Sequence, residues 1–349
     1  MSFSKKILLW YSENKRNLPW RGTKDPYKIW LSEIMLQQTR VAQGIPYYLR
    51  FVENFPTVNH LAQAREEKVL KLWQGLGYYS RARNLHATAK TVVDQYEGQF
   101  PNNYSELIKL KGIGDYTASA IASICFNEPH PVVDGNVYRV LARYFEVSLP
   151  INSGKGIKYF KSLAREVMNE EHIRDYNQGI MEFGAIQCTP KKPKCGDCPL
   201  SDSCKALQQG RIQELPIKLG KTKVKKRFFN YLVPISTEPN TAPTTLMIQR
   251  KGKGIWENLF EFPLMESDTE IGLEEVEANL KNTLKLTDKP LVYQYKDEQI
   301  VHKLSHQHLY TKFWIVKTNT VFEAGVALKE INKYPVPVLI ADFINTFKI

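Results

Sequence analysis

The sequence predicts a multi-domain chain with an all-α first domain, residues 1–209, and an α+β second domain, residues 228–349. In the first part, apolar residues recur at spacings of three and four, as in "EEKVLKLWQGL" and "NVYRVLARYF", which is the period of a helix with one buried face. In the second part, β-branched and aromatic runs such as "LYTKFWIVKT" predict strands, and one helical stripe begins at Leu273. Between them, residues 210–227 predict a basic linker, because "IKLGKTKVKKR" has six basic residues, no acid and no apolar stripe.

The charge of the chain favours a polyanionic partner. Lysine and arginine number 48 against 36 acidic residues, which gives a formal net charge of +12 over 349 residues. An excess of this size is typical of proteins that bind nucleic acid, although a basic protein without such a partner can have the same composition. No apolar run approaches the roughly 20 residues of a membrane span. We therefore expect a cytoplasmic, unprocessed chain that binds no membrane.

The cysteines are concentrated in one short segment. Four of the five have the spacing C-x6-C-x2-C-x5-C, at Cys188, Cys195, Cys198 and Cys204. Four thiolates so close together can enclose one metal centre, and both zinc and a 4Fe-4S cluster accept four cysteine ligands. The spacing does not choose between these two. The fifth cysteine, Cys125 in "ASICFN", is predicted to be an ordinary buried thiol.

The segment "LIKLKGIGDYTASAIASI", residues 107–124, predicts a hairpin between two helices. Gly112 and Gly114 lie in the turn, and the second helix opens at Asp115 and Tyr116. The first N–H groups of a helix have no partner within it, and glycine lets a ligand approach the backbone closely. The turn therefore predicts a phosphate-binding site, with a plain connection between helices as the alternative.

Two carboxylates stand in positions that suit opposite protonation states. Glu33 in "WLSEIMLQQTR" shares its helix face with apolar residues such as Ile29 and Trp30, so we expect burial to raise its pKa. Asp134 in "PHPVVDGNVYRVLARY" precedes a helix, where aspartate is among the preferred N-caps. A carboxylate that accepts hydrogen bonds from helix N–H groups keeps a low pKa. Asp134 is thus expected to stay charged and to be able to face a developing cation.

These features occur in the same order in the helix-hairpin-helix DNA base-excision glycosylases that carry a 4Fe-4S cluster. Within that superfamily the chain resembles the adenine DNA glycosylase (MutY) family over nearly its whole length. The motifs that carry the resemblance are "LPWR", "SEIMLQQTRV", "GLGYYSRARNLH", "LKGIGDYTA", "VDGNVYRVLAR", "FGAIQCTPKKPKCGDCPL", "GIWENLFEFP" and "HKLSHQHL". The resemblance implies that the cysteine loop, residues 188–204, holds a 4Fe-4S cluster and that the second domain is Nudix-like.

The resemblance also implies roles for individual residues. Glu33 would protonate adenine at N7, Asp134 would stabilise the sugar cation with or without a covalent intermediate, and Tyr116 and Asn136 would orient the reacting groups. The substrate-binding residues that it implies are Arg21 and Gln178 on the extruded adenine, Leu36, Gln38, Thr39 and Tyr78 on the opposite strand, Ser305 and His306 on 8-oxoguanine, and Gly112 and Gly114 on the phosphate backbone. The implied partner is double-stranded DNA with adenine opposite 8-oxoguanine or guanine, bound by a monomer in the bacterial nucleoid.

Two departures bear on this interpretation. Endonuclease III, a relative within the superfamily, has a lysine at the position of Tyr116, and that amine forms a Schiff base that leads to strand cleavage. Tyr116 therefore favours a monofunctional hydrolase over the alternatives, a bifunctional glycosylase/lyase or a catalytically silent DNA-binding protein. In the second domain, Leu304 stands where the adenine family has phenylalanine before Ser305 and His306. The helix after Gly272 lacks the Arg-Glu pair of Nudix hydrolases, so we expect this domain to recognise DNA without hydrolysing nucleotides.

Overall fold

The computed structural model describes residues 1–220, 224–237 and 242–347. Contacts between residues divide the chain into two compact units, of which the first comprises Met1–Ala64 and Arg83–Gly220. The second comprises Arg65–Ala82 and the described part of Lys221–Ile349. The predicted domains, 1–209 and 228–349, differ from this division in where 65–82, 210–220 and 224–227 belong, and their bounds stay a prediction. Of the predicted linker 210–227, residues 221–223 lie outside the described residues.

The first unit is helical, as predicted. Its helices are α1 (Phe3–Asn14), α2 (Pro26–Leu36), α3 (Val41–Asn54), α4 (Val58–Gln63), the larger part of α6 (Ser80–Tyr96), α7 (Tyr104–Leu107), α8 (Asp115–Phe126), α9 (Gly135–Phe145), α10 (Gly154–Val167), α11 (Ile173–Ile186) and α12 (Lys205–Gln208). Helix α11 packs against α1, α8 and α9, and α2 packs against α8 and α3. Helices α2, α8 and α11 are therefore the interior of this unit, and α2 and α8 carry Glu33 and Tyr116.

Helix α2 is buried on almost every side. Asp25 caps it, because its Oδ1 accepts a hydrogen bond from the Tyr27 backbone N–H at 3.0 Å, and Pro26 occupies the first turn, where its missing N–H costs nothing. Residues 29–35 are all buried. A helix without a polar face cannot leave Glu33 in water, so the carboxyl lies inside the unit.

The second unit contains α5 (Glu66–Trp73) and a mixed sheet, as the α+β prediction requires. The elements of its C-terminal part are β1 (Lys225–Ser236), β2 (Thr244–Thr245), β3 (Ile248–Gln249), β4 (Phe260–Glu261), β5 (Leu264–Ser267), α13 (Leu273–Leu284), β6 (Leu291–Gln294), β7 (Ile300–Lys303), β8 (Gln307–Thr318), β9 (Val326–Ala327) and α14 (Val338–Thr346). The main path of the sheet is β6-β8-β1-β2-β9, with β5 paired to β1 and β7 to β8. Strands β1 and β8 are parallel, and the other described pairs are antiparallel.

The sheet is covered by helices whose apolar residues the sequence indicates. Val276, Leu280 and Leu284 of α13 pack with Trp314 and Val316 of β8 in one buried cluster. Phe343 of α14 stacks on Phe313 with ring centroids 4.1 Å apart. Within the described ranges, no helix combines the length and the apolar character that crossing a bilayer requires.

Candidate active site and cysteine loop

A cavity of about 470 Å³ in the first unit collects residues that are far apart in the sequence. Its walls come from the segment before α2, from α2, the first turn of α8, the start of α9, and α11. Nine of the predicted site residues line it: Arg21, Glu33, Leu36, Gln38, Thr39, Tyr116, Asp134, Asn136 and Gln178. The cavity therefore joins both predicted carboxylates with the predicted base-binding residues.

Glu33 reaches this cavity from α2 and is 9% exposed. Tyr116, in the first turn of α8, donates a hydrogen bond from its hydroxyl to Glu33 Oε2 at 2.7 Å. Burial raises the pKa of Glu33 to about 7, and the negative charge of Asp134 adds to the rise, while the Tyr116 hydrogen bond and the charge of Arg21 oppose it. The predicted rise of the Glu33 pKa is confirmed, and near neutral pH this carboxyl can carry a proton.

Asp134 is the N-cap of α9, as the sequence predicts. Its Oδ1 accepts from the backbone N–H groups of Asn136 and Val137 at 2.9 and 2.8 Å, and its Oδ2 accepts from Asn136 Nδ2 at 2.8 Å. The predicted low pKa is wrong in direction: burial raises the pKa of Asp134, although these hydrogen bonds and the charge of Arg139 lower it. The sequence shows that Asp134 precedes a helix, but it does not show how deeply the folded protein buries the carboxyl. The three hydrogen bonds nevertheless hold both oxygens in a fixed orientation.

The hairpin turn lies between α7 and α8 and does not line the cavity. Gly112 has φ +77°, and a Cβ there would lie 2.8 Å from the Cβ of Asn84, so both backbone conformation and space require glycine. Gly114 is the N-cap of α8, with no side-chain hydrogen bond to the first turn, and a Cβ added to it would meet no atom within 4 Å. The first N–H groups of α8 thus lack a side-chain cap at an open turn, which supports the predicted phosphate site.

One part of the cavity wall was not predicted. Glu182 on α11 accepts hydrogen bonds from the side chains of Arg16 and Arg21, with its Oε1 2.6 Å from Arg16 Nε and its Oε2 2.8 Å from Arg21 Nη2. Its side chain is 1% exposed. Sequence reasoning missed Arg16 and Glu182 because each lies on an ordinary helical or loop pattern. A charged residue at an inward-facing position of α11, next to the buried Phe183, was the available signal.

The four clustered cysteines line one shared cavity with Arg143. Arg143 Nη1 donates to Cys188 Sγ at 3.4 Å, and the Cys204 thiol donates to the carbonyl oxygen of Arg143 at 3.6 Å. Burial and the neighbouring thiolates raise the pKa of Cys198 to about 11, so four thiolates here need a strongly cationic centre. Among the described residues, no group of three Cys, His, Asp or Glu side chains is arranged to hold a single metal ion. Four thiols that line one cavity fit a cluster with four cysteine ligands.

Arg139 connects the cysteine loop to the cap of α9. Its Nε donates to the carbonyl oxygen of Cys188 at 2.7 Å, and its Nη2 donates to Asn136 Oδ1 at 2.8 Å. Asn136 in turn donates to Asp134. Asn136, which donates to Asp134, is therefore itself held by Arg139, and Arg139 is hydrogen-bonded to the loop 188–204.

The remaining predicted residues, Tyr78, Ser305 and His306, belong to the second unit and do not line the cavity. Ser305 and His306 are exposed in the turn between β7 and β8, which the Leu304 N–H closes by donating to the Gln307 carbonyl at 2.8 Å. Tyr78 is 45% exposed with φ 49°, and its hydroxyl lies 2.7 Å from Ser305 Oγ. Two residues 227 positions apart are thus hydrogen-bonded at one exposed point.

Three segments of the chain match described protein families. Residues 31–166 match the HhH-GPD superfamily of base excision DNA repair proteins, and residues 188–204 match the iron-sulfur binding domain of endonuclease III. Residues 240–346 match the NUDIX domain. The first two matches cover the carboxylates, the hairpin and the cysteine loop.

Comparison with individual proteins decides the family. The chain is 36% identical to the adenine DNA glycosylase of Buchnera aphidicola subsp. Baizongia pistaciae, over 90% of this chain and 86% of that protein. It is 38% identical to the enzyme of the same name from Buchnera aphidicola subsp. Schizaphis graminum, over 87% of this chain and 84% of that protein. The chain belongs to the adenine DNA glycosylase family.

Membership of this family accounts for the two-domain architecture and the cofactor. The protein is a DNA glycosylase of base excision repair, and its cofactor is a 4Fe-4S cluster, for which Cys188, Cys195, Cys198 and Cys204 fit as ligands. A solved thermostable thymine-DNA glycosylase is 32% identical, with a TM-score of 0.55 over 59% of this chain and 95% of that one. The adenine DNA glycosylases match far more of this chain than that structure does.

Proposed function

We propose that this protein is a monofunctional glycosylase that hydrolyses the N-glycosidic bond of adenine paired with 8-oxoguanine or guanine, acting as a monomer on the duplex DNA of the nucleoid. The observation that carries the proposal is the pairing of two carboxylates in one cavity: Glu33 with a pKa of about 7 and the hydrogen-bonded Asp134. Glycosidic bond cleavage is served by a proton donor and an anion held close together.

The chemistry assigns one step to each carboxyl. Adenine leaves poorly unless protonated, so Glu33 donates its proton to N7 while the bond from the sugar C1′ to N9 breaks and its electron pair goes to the base. The sugar carbon then carries cationic character, which the Asp134 carboxylate stabilises. A water molecule adds to C1′ and loses its proton, which completes hydrolysis and leaves an abasic site.

Tyr116 and Asn136 position the two carboxyls. The Tyr116 hydroxyl donates to Glu33, and Asn136 donates twice to Asp134, from its backbone and from its side chain. No lysine is among the described residues that line the cavity, which supports hydrolysis without the Schiff-base chemistry of a lyase. The four cysteines would hold the 4Fe-4S cluster, which when bound joins the loop 188–204 through four thiolate–iron bonds.

The base must leave the duplex to enter this cavity. Arg21 and Gln178 line it and would bind the extruded adenine, whereas Leu36, Gln38 and Thr39 at the end of α2 would contact the opposite strand. The turn at Gly112 and Gly114 would bind a backbone phosphate.

Recognition of the lesion is assigned to Tyr78, Ser305 and His306. The hydrogen bond between Tyr78 and Ser305 supports a shared role, because an aromatic ring suited to stacking and a hydroxyl suited to base-edge recognition lie at one exposed point. Leu304 replaces the phenylalanine of the family and offers no ring to stack, so Ser305 and His306 carry more of the recognition here.

Incubation of the protein with duplexes that carry adenine opposite 8-oxoguanine, guanine, cytosine or thymine tests this function. Abasic sites are assayed by cleavage with and without alkali. A duplex with thymine opposite guanine is the control for release of thymine, the base named for the solved thymine-DNA glycosylase. We expect alkali-dependent cleavage at adenine opposite 8-oxoguanine and guanine, and Ser305→Ala to reduce the preference for 8-oxoguanine by roughly fivefold, the value of one hydrogen bond. Cleavage without alkali, or release of thymine instead, would overturn the proposal.

A further inference from the structure

Glu182 is a buried carboxylate in the cavity wall to which the proposed chemistry assigns no step. Its Oε1 accepts from Arg16 Nε at 2.6 Å and from the Arg16 backbone N–H at 3.1 Å. Its Oε2 accepts from Arg16 Nη2 at 2.9 Å and Arg21 Nη2 at 2.8 Å. One carboxylate therefore serves as counter-ion to two guanidinium groups, both of which line the cavity.

The orientation of Arg21 depends on a small set of contacts. Its Nη1 donates to Gln178 Oε1 at 3.0 Å and to the Tyr11 hydroxyl at 2.7 Å, while its Nη2 donates to Glu182. Its Nε is buried and has no hydrogen-bond acceptor. Glu182 is the only charged acceptor among the contacts described for Arg21, and so it is the strongest of them.

Arg21 in turn acts on Glu33. The titratable and charged groups that face Glu33 are Tyr116 and Cys125 from α8, Asp134 from the start of α9, and Arg21 from the segment before α2. Tyr116 and Cys125 are neutral at physiological pH, because burial raises the pKa of the Cys125 thiol to about 12 and that of the Tyr116 phenol well above its usual value. Arg21 is therefore the cation that favours loss of the Glu33 proton.

We propose that Glu182 is a positioning residue that holds Arg21 against Gln178 and Tyr11 and, by neutralising the Arg16–Arg21 pair, lets Glu33 keep its proton until adenine binds. The inference rests on the proposed role of Glu33 as the general acid. Burial works to raise the pKa of Glu182, but the hydrogen bonds and charges of Arg16 and Arg21 outweigh it and lower that pKa. Glu182 thus remains an anion under conditions in which Glu33 is protonated.

Counting charge gives an ordered set of variants. Arg16, Arg21 and Glu182 together carry +1; Glu182→Gln makes this +2, Arg21→Met makes it 0, and the double variant returns it to +1. More positive charge beside Glu33 favours its ionised form, so the pH above which the reaction slows should fall as this sum rises. Glu182→Asp keeps this net charge but shortens the side chain, so it distinguishes an effect of the charge from an effect of the position of the carboxylate.

The experiment measures the rate constant for adenine release under single-turnover conditions with enzyme below saturation, from pH 5 to 9, because this constant reports groups of the free enzyme. The holoprotein and a duplex with adenine opposite 8-oxoguanine are used. The alkaline limb of each pH–rate profile is the range in which the rate falls as pH rises. We expect this limb to move down by about one pH unit in Glu182→Gln and to move up in Arg21→Met. In the double variant and in Glu182→Asp it should lie where it does in the wild type. Relative to the wild type, Glu182→Gln should then lose about fivefold more rate at pH 8 than at pH 6.

A uniform loss of rate for Glu182→Gln at every pH, with no displacement of the limb, would show a merely structural role and overturn the inference. If Glu182→Gln does not retain the visible absorbance of the cluster and a helical circular dichroism spectrum, the Arg21→Met limb decides alone, and a limb that stays in place or moves down rejects the proposal. The proposed function fails separately, by absence of adenine release from the wild-type protein.

Discussion

Two glutamates that line one cavity, Glu33 on α2 and Glu182 on α11, have pKa values shifted in opposite directions. Both are at least nine-tenths buried. Glu33 has a neutral hydroxyl as its hydrogen-bond donor, and burial raises its pKa to about 7. Glu182 has two guanidinium groups, which outweigh burial and lower its pKa. Burial by itself therefore does not set the charge of a carboxyl, since the charge of its partners decides the sign of the shift.

The difference separates two roles. A carboxyl with a pKa near the working pH can give up a proton and regain it, which a general acid requires. A carboxylate fixed between two arginines has no proton to give, and it organises charge instead.

The largest effect on adenine release should follow removal of the titratable proton of Glu33. Glu33→Gln keeps the size of the side chain but has no acidic proton, so we expect adenine release to fall by roughly 10²–10⁴-fold, the usual contribution of a general acid. Single-turnover excision measures the loss, and binding to the same duplex, which we expect to be retained, is the control. Excision close to the wild-type rate would reject Glu33 as the acid.

The two glutamates should also have opposite effects on stability as pH changes. Raising the Glu33 pKa from 4.5 to about 7 means that the folded state resists ionisation, so the cost is absent below pH 4.5 and complete above pH 7. Glu33→Gln should therefore stabilise the first unit above pH 7 by about 3 kcal/mol, and by little at pH 4.5. Urea unfolding followed by the visible absorbance of the cluster measures the difference.

Glu182→Gln is the matched control, with the opposite sign. Its lowered pKa contributes stability above the unfolded pKa, and this stability is lost as pH falls through the folded pKa. The variant should be less stable than the wild type at pH 8, and the deficit should shrink in acid. If both variants shift stability in the same direction at pH 8, the contrast between the two carboxyls is wrong.

The smallest effect should come from the hydroxyl that faces Glu33. Because the Tyr116 hydrogen bond lowers the pKa of Glu33, Tyr116→Phe should raise that pKa further and move the alkaline limb of adenine release up by as much as about one pH unit. Tyr176→Phe removes a buried hydroxyl that has no hydrogen-bond partner, so its limb should stay in place. A downward movement for Tyr116→Phe would contradict the assigned hydrogen bond.

Much of this protein was predictable because its signals are local. The periods of three and four predict helices such as α2 and α9, the run of β-branched and aromatic residues predicts β8, and Asp134 before its helix predicts an N-cap. The apolar neighbours of Glu33 in the sequence are also its neighbours in a helix, so the direction of its pKa shift could be predicted from a single segment. Four closely spaced cysteines likewise predict a metal centre without knowledge of the fold.

Tertiary structure alone decided what depends on residues far apart in the chain. Arg16 and Glu182 are separated by 166 positions, and Tyr78 and Ser305 by 227, so no spacing in the sequence reveals either contact. The sign of the Asp134 pKa shift belongs to the same class: the cap that lowers the pKa is local, whereas the burial that raises it is supplied by distant helices. Periodicity and capping act over a few residues and can be read from the sequence, while desolvation and ion pairing depend on everything that folding brings within a few ångströms.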